Sequence, residues 1–404
     1  MYTATVVRLT NVRKHPNADR LQLATVCGEQ IIVGTDAKEG DLGLYFPSDG
    51  QLSVEFATAH DLVQRMEDGK RAGGFFSKTR QVRAQNFRGE KSYGFWMPIS
   101  CLEFTGGDVP EEHVEIDTWN GVPICNKYFT EATLKAQGKQ TVGNPRKKPR
   151  NFPEHVDTKH FAKAQQLFRP FSVVYVTEKL HGTSQRIGNV LTEVPVRRTL
   201  LDRLLRRTRT ELKYQRVIGT RRQVLPDREK RGFYGSEEYR WNCVSHFINE
   251  LREGEIVYGE VVGYTNTGRS IMASHSTKEL PEFKRMFGDT ITYTYECQPG
   301  TCAFYAYRIT QHGVELSWPQ VQQRCKELNI DPVPELHRFI MEESVERPYV
   351  LASEIDPSHP SEGVVYRIEN DHGTDFVKDK TWEFKVMEGI AKTSDDYVDT
   401  EETA

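Results

Sequence analysis

The sequence predicts a mixed α+β protein whose first quarter is all β. Three observations lead there. Residues 1 to about 105 break into short apolar runs separated by turn residues, with little helical period. From 217 onward, strand-like and helix-like segments alternate. The 404 residues, 37% apolar and 27% charged, supply material for two or three domains with real cores. No apolar run approaches the length of a membrane span. The start, Met1 to Val7, reads as a strand and not as a secretory signal. The expected organisation is a barrel domain at 1–105, a basic connector at 106–168, a main domain at 169–391 and an acidic tail at 392–404.

In the N-terminal part, Val6–Leu9, Leu21–Val26, Gln30–Val33 and Gly43–Phe46 are strand candidates, punctuated by Gly28, Gly34, Gly40 and Gly50. Such spacing predicts a small barrel. Ser53–Glu67 is the one helical candidate there. The run Arg13-Lys14-His15-Pro16-Asn17-Ala18-Asp19-Arg20-Leu21 resembles the start of tRNA-binding OB-fold modules, although His-Pro-Asn-Ala-Asp makes a good turn whatever it touches. Arg80–Gly89 and Ser92–Trp96 mix arginines with aromatics, as nucleic-acid-binding OB surfaces do; aromatics of a barrel core would read the same way. In the connector, Gly143–Arg150 is basic, bounded by proline and non-helical. Asp157 or Thr158 then caps an expected helix reaching Phe168.

The apolar run Phe171–Val176 delivers Lys179 at a strand end, beside a turn at Gly182. Gln185–Val190 continues as a strand. Leu200, Leu201, Leu204 and Leu205 then recur at helical spacing among arginines. Net charge is −3 overall, yet residues 195–231 hold 11 Arg and 2 Lys against 4 acids, which points to a polyanion-facing segment. Beyond it, Val217–Arg222, Glu255–Val262, Ala303–Ile309, Gly363–Ile368 and Phe384–Met387 read as strands. Tyr239–Arg252 and Trp318–Leu328 read as helices. Seven scattered cysteines form no C-x-x-C pair and no Cys/His metal spacing, which fits reduced thiols in a cytoplasmic protein.

One ordered set of residues then stands out: Glu178-Lys179-Leu180-His181-Gly182-Thr183, Thr220-Arg221, Tyr258-Gly259-Glu260, Phe304-Tyr305-Ala306-Tyr307, Glu362-Gly363-Val364-Val365 and Lys378-Asp379-Lys380. This order resembles the motif series of the ATP-dependent RNA ligases of the nick-sealing and editing type, within the covalent nucleotidyltransferases. The resemblance covers roughly 170–390, and it is closest to the branch that carries an OB domain ahead of the transferase.

The resemblance implies an antiparallel-sheet nucleotidyltransferase domain around an ATP cleft. Lys179 would attack the α-phosphate of ATP, expel pyrophosphate and hold AMP as a phosphoramidate. Such an amine reacts in its neutral form, which nearby cations favour. Lys378 and Lys380 would supply those cations and hold the α-phosphate, with Lys385 as the alternative second lysine. Glu178, Leu180, His181 and Gly182 would line the nucleotide site. Glu260 would accept from a ribose hydroxyl, Tyr307 (or Tyr305) would stack on adenine, and Arg221 (or Arg222) would contact phosphate or ribose. Glu362 would hold Mg2+ or Mn2+. AMP would pass to an RNA 5′-phosphate, and a 3′-hydroxyl would displace it, sealing a nick or break. The expected partners are RNA ends, met by a monomer away from membranes. Two departures stand out: His181 where many relatives have Asp, and the basic insertion near 195–232. A DNA ligase or capping enzyme is the rival within enzymes; both should carry Asp at position 181 and place the OB domain after the transferase. A non-catalytic OB-fold RNA-binding protein is the rival outside them.

Overall fold

The computed structural model describes residues 2–67, 70, 71, 73–129, 149, 151–156, 158–196, 210–225, 238–342 and 344–393. It divides into two units. One comprises Met1–Gln140, Phe161–Gln165 and Trp382–Ala404; the other comprises Thr141–His160 and Gln166–Thr381.

In the first unit the expected strands form at Ala4–Arg8, Leu21–Val26, Glu29–Gly34 and Leu42–Pro47. Alternation along Leu42–Pro47 explains its central place. Leu44 and Phe46 enter a core with Phe56, Val82 and Ile124, while Tyr45 faces a second core with Leu9, Ala24, Ile31 and Trp96. The strands are distributed among separate sheets, and no barrel closes among the described residues. His15 is fully buried: Nδ1 accepts from the Asn17 amide and Nε2 meets the Phe87 carbonyl. The His-Pro-Asn-Ala-Asp run is therefore at least a structural turn.

Three predicted elements take other forms. The Ser53–Glu67 helix lasts only from Val54 to Ala59, capped by the Ser53 hydroxyl. The chain then turns through Asp61 (φ 50°), and Leu62 and Gln64 hydrogen-bond in extended form with Phe75 and Phe76. The helix expected before Phe168 is replaced by a strand at Lys159–His160 and two short 3-10 turns, while Asp157 lies outside the described residues. Phe161, Ala162 and Ala164 are all buried in this form. Phe384–Met387 belongs to a helix, Trp382–Met387, and not to a strand. Trp382, Phe384 and Val386 alternate as a strand would, but one short helix buries all three.

The second unit is built on two mainly antiparallel sheets. One contains β1 (Val173–Glu178), β6 (Glu335–Ile340), β7 (Gly363–Asn370) and β8 (Gly373–Lys380), in the order β8-β7-β1-β6, with Lys159–His160 parallel beside β8. The other runs β3-β2-β4-β5, with β2 at Thr183–Pro195, β3 at Thr210–Thr220, β4 at Glu255–Gly263 and β5 at Cys302–Gln311. The central strands β1 and β4 are buried along nearly their whole length, which explains their continuous apolar sequence. Helix α1 (Trp318–Leu328) has the expected bounds, with a Ser317/Gln320 capping box and Asn329 in the left-handed conformation at its end. Its Trp318 amide donates to Glu369 of β7 and its indole to Glu335 of β6.

The Arg-rich segment departs from expectation where it is described. Thr210–Arg216 is strand, paired along β2, while 197–209, including the leucines at helical spacing, lies outside the described residues. Strand β4 pairs with β2 from Thr183 to Gly188; beyond that, among the described residues, β2 and β3 have only each other as strand partners. The expected Tyr239–Arg252 helix is a short turn of helix at Glu238–Asn242 followed by turns, which bury Val244, Phe247, Ile248 and Leu251 together.

At the start of β7, Gly363 has φ 144°, and a Cβ there would lie 2.1 Å from the Asp379 carbonyl and 2.7 Å from the Lys380 Cα. Gly363→Ala is expected to force β7 and β8 apart, destabilising the protein by about 1–3 kcal/mol. Scanning calorimetry would show this as a lowered Tm; an unchanged Tm would mean that the strands have room to spare.

Candidate active site

Lys179 directly follows β1, and its backbone amide donates to the carbonyl of Gly363 at the start of β7. Its Nζ lies 2.7 Å from Oε1 of Glu362, and Lys380, at the end of β8, reaches the same oxygen at 2.9 Å. His181 Nδ1 meets the other oxygen at 3.2 Å. Three strand ends thus converge on one carboxylate, which is only 3% exposed. Burial by itself would push that carboxyl up. Lys179, Lys380 and His181 outweigh burial and hold it well below the usual carboxylate range.

The turn after Lys179 is tightly fixed. Leu180 is buried, and the His181 amide donates to the Tyr295 hydroxyl at 2.6 Å. The His181 ring packs against Tyr293, with centroids 4.5 Å apart, and against His275. Tyr295 and Glu296 both have positive φ, a costly conformation for side chains of that size. The turn is held by Asp356, which accepts from Thr294 and from the Glu296 amide. Gly182 has no room for a side chain: a Cβ would stand 2.6 Å from the Val261 carbonyl and 2.8 Å from Glu260 Cγ.

Glu178, last in β1, points elsewhere, as strand alternation requires. Its Oε2 accepts from the Glu354 amide, and burial pushes its carboxyl up against that bond and one with Ser353. Glu260 lies on β4 and accepts from Ser184 at 3.3 Å. Burial raises it to about 7, with the Glu362 charge adding to the rise and Lys179, Ser184 and Arg240 opposing it.

Tyr307 lies on β5, half-buried, within reach of the charge of Glu260 and of Ser184. Tyr305 stands directly across from Glu260 in the β4–β5 register. Arg221, just past β3, is exposed and acts electrostatically on Tyr307 and His155. Lys378 is partly buried on the same side of β8 as Lys380 and opposite Val365. Lys385 is not part of this cluster. It belongs to the N-terminal unit, where its Nζ sits 4.9 Å over the ring of Tyr93.

Several contributors left no pattern in the sequence. Arg240, buried, donates from Nη2 to Thr183 Oγ1 at 2.8 Å and from Nη1 to the Ser184 carbonyl at 3.4 Å. Tyr295 lies in a turn, Tyr293 in irregular chain and His275 in a two-residue strand, all too short to carry a periodic signal. Only Ser184 could have been found, since it follows the Lys-Leu-His-Gly turn directly. Among the described residues, no group of three or more His, Cys, Asp or Glu side chains could hold a metal ion by itself. All seven cysteines are free thiols, and no described helix is long and apolar enough to cross a membrane.

No curated protein matches the chain by sequence. Solved structures that share its fold include the RNA ligase of Naegleria gruberi. A lysine-to-alanine mutant of that enzyme with ATP and Mn is 14% identical, covers 93% of this chain and 96% of its own, and superposes with a TM-score of 0.60. The same ligase with PPi is 14% identical over 95% of this chain and 97% of its own, also at 0.60. A lysine-to-methionine mutant with AMP and Mn is 15% identical over 94% and 96%, again at 0.60. The family model described as RNA ligase matches residues 172–387, from the start of β1 through Lys380 and beyond. That span is more than half of the sequence and contains Lys179, Glu260, Tyr307, Glu362 and both lysines of β8: the chain belongs to the RNA ligase family.

Proposed function

We propose that this RNA ligase is ATP-dependent and joins RNA 3′-hydroxyl and 5′-phosphate ends through a lysyl-AMP intermediate on Lys179. The observation that carries the reading is the buried carboxylate of Glu362, shared by Lys179 and Lys380 at the meeting of three strand ends. The fold neighbours solved with ATP and Mn, AMP and Mn, and PPi support it.

In the first step the neutral Lys179 amine attacks the α-phosphorus of ATP. A P–N bond forms, the bond to the bridging oxygen breaks, pyrophosphate leaves with that electron pair, and the nitrogen sheds one proton to solvent to give the phosphoramidate. Lys380 and Lys378 hold the α-phosphate oxygens as charge builds. Glu260 and Ser184 face the ribose, and Tyr307 presents its ring to adenine, with Tyr305 the alternative on the same strand. Arg221 lies where a phosphate or ribose oxygen can be met. AMP then passes to the 5′-phosphate of an RNA end, and a 3′-hydroxyl displaces it.

The residues present fit a divalent cation: Glu362 is a carboxylate kept ionised by its surroundings, and in nucleotide sites one or two carboxylates suffice, phosphate oxygens and water completing the shell. Mg2+ or Mn2+ held there would shield phosphate charge.

Family membership favours RNA over the DNA-ligase and capping alternatives. The N-terminal unit we read as an OB-like guide for RNA, supported by the exposed Arg13, Lys14 and Arg20 on and near its Thr10–Lys14 strand. A monomer repairing nicks or breaks in the cytoplasm is the setting that free thiols and a single complete site support.

The deciding experiment incubates the protein with α-labelled ATP and Mg2+ or Mn2+ and looks for label that survives denaturing electrophoresis. Label is expected from ATP and not GTP, and its loss in Lys179→Ala. Absence of label with either metal, in folded protein that carries no AMP beforehand, would overturn the reading.

Glu260 adds a pH signature. Its folded value is raised above the ordinary carboxyl range to about 7. Its contribution to stability is therefore fully present below about 4.5 and is lost as pH rises through 7. Glu260→Gln cannot ionise, so its Tm relative to the wild type should climb between pH 5.5 and 8. A Tm difference flat across that range would contradict the raised value.

A further inference from the structure

Tyr307 meets a group that neither the sequence motifs nor the roles above include. Its hydroxyl lies 2.5 Å from Nδ1 of His155, with ring centroids 6.0 Å apart. His155 belongs to the short segment 151–156, which covers part of the β2–β5 sheet. Phe152 packs with Val190, Val217, Ile256 and Tyr258. The Pro153 carbonyl accepts from Arg186 Nη1 at 2.6 Å, and the His155 ring stands edge-on to Tyr258.

The backbone explains why Tyr307 requires an outside hold. The β4–β5 register slips between Tyr258, opposite Arg308, and Gly259, opposite Ala306. Tyr307 is the extra residue of this bulge and has no cross-strand partner to set its side chain. The hydroxyl bond to His155 supplies that hold from one side, with Ser184 on the other.

Both partners of the bond are neutral. Burial, reinforced by Arg186, Arg221 and Arg308, brings His155 down to about 3, so the imidazole is neutral at working pH. Burial pushes the Tyr307 phenol up, so it remains a donor. Two neutral groups therefore share the bond, and with Tyr307 as its donor the imidazole proton sits on Nε2. Among the described residues, Nε2 is buried with no hydrogen-bond partner, and the ring's one hydrogen bond is to Tyr307.

We propose that His155 is a positioning residue for the nucleotide step, fixing the ring of Tyr307 so that its face is presented to adenine. The proposal rests on the reading that Tyr307 stacks on the base.

The test is self-adenylylation of the full chain at varied ATP, with thermal denaturation of each variant alongside. His155→Ala and Tyr307→Phe are each expected to raise the KM for ATP about 5- to 10-fold, as loss of one hydrogen bond would, with kcat near the wild-type value. The double variant should be no worse than either single one. His155→Asn, which keeps an acceptor close to the place of Nδ1, should stay within about twofold of wild type. Additive effects of His155→Ala and Tyr307→Phe would overturn the proposal, as would a fall in kcat with KM unchanged or an Asn variant as impaired as Ala. Should His155→Ala fail to fold, Tyr307→Phe and His155→Asn carry the test: a KM that rises in the first and holds in the second supports it, and any other pattern overturns it. Tyr307→Ala separates the two layers. If it leaves KM unchanged, the stacking role itself falls. If it raises KM strongly while His155→Ala and Tyr307→Phe do nothing, only the positioning role falls.

Discussion

The site depends on one buried carboxylate. Glu362 accepts two ammonium groups on one oxygen and an imidazole on the other. Without it, Lys179 and Lys380 would repel each other across a poorly solvated gap; without them, a carboxylate so deeply buried would be costly to keep charged. This mutual dependence ties the end of β1 to the start of β7 and the end of β8.

Close backbone approach makes that arrangement possible. Gly363 lets β7 run against β8 at the level of Lys380, and Gly182 lets the turn after Lys179 lie against Val261 and Glu260 of β4. The two sheets therefore meet where the chemistry is, and α1 ties the far side of one sheet through Glu335 and Glu369. The ring of Tyr295 closes the turn from the other direction, at the cost of a strained backbone held in place by Asp356.

Much of this was legible in the sequence for a simple reason. Buried strands such as β1 and β4 are apolar nearly throughout, so a lone Lys179 or Glu260 in or beside such a run is conspicuous. What was not legible arrives through long-range contacts from irregular segments. Arg240 sits in a turn of helix and reaches Thr183, and His155 lies in a stretch with no period at all. The misread elements share one cause as well. Trp382-Glu383-Phe384-Lys385-Val386 alternates like a strand, yet a short helix between buried surroundings can hide three apolar side chains as readily. Period two over five residues cannot tell those cases apart.

The β2–β3 ribbon has a consequence for how such a chain can vary. Its inner end is clamped by β4 as far as Gly188, while among the described residues Asn189 to Pro195 are strand-bonded only to β3. The outer pairs can therefore change in number or charge without shifting the register of Ser184 beside Glu260. Closing a longer loop costs little free energy. The outer ribbon is thus an exchangeable attachment, one that related chains could alter while Lys179, Glu362 and Tyr307 stay where they are.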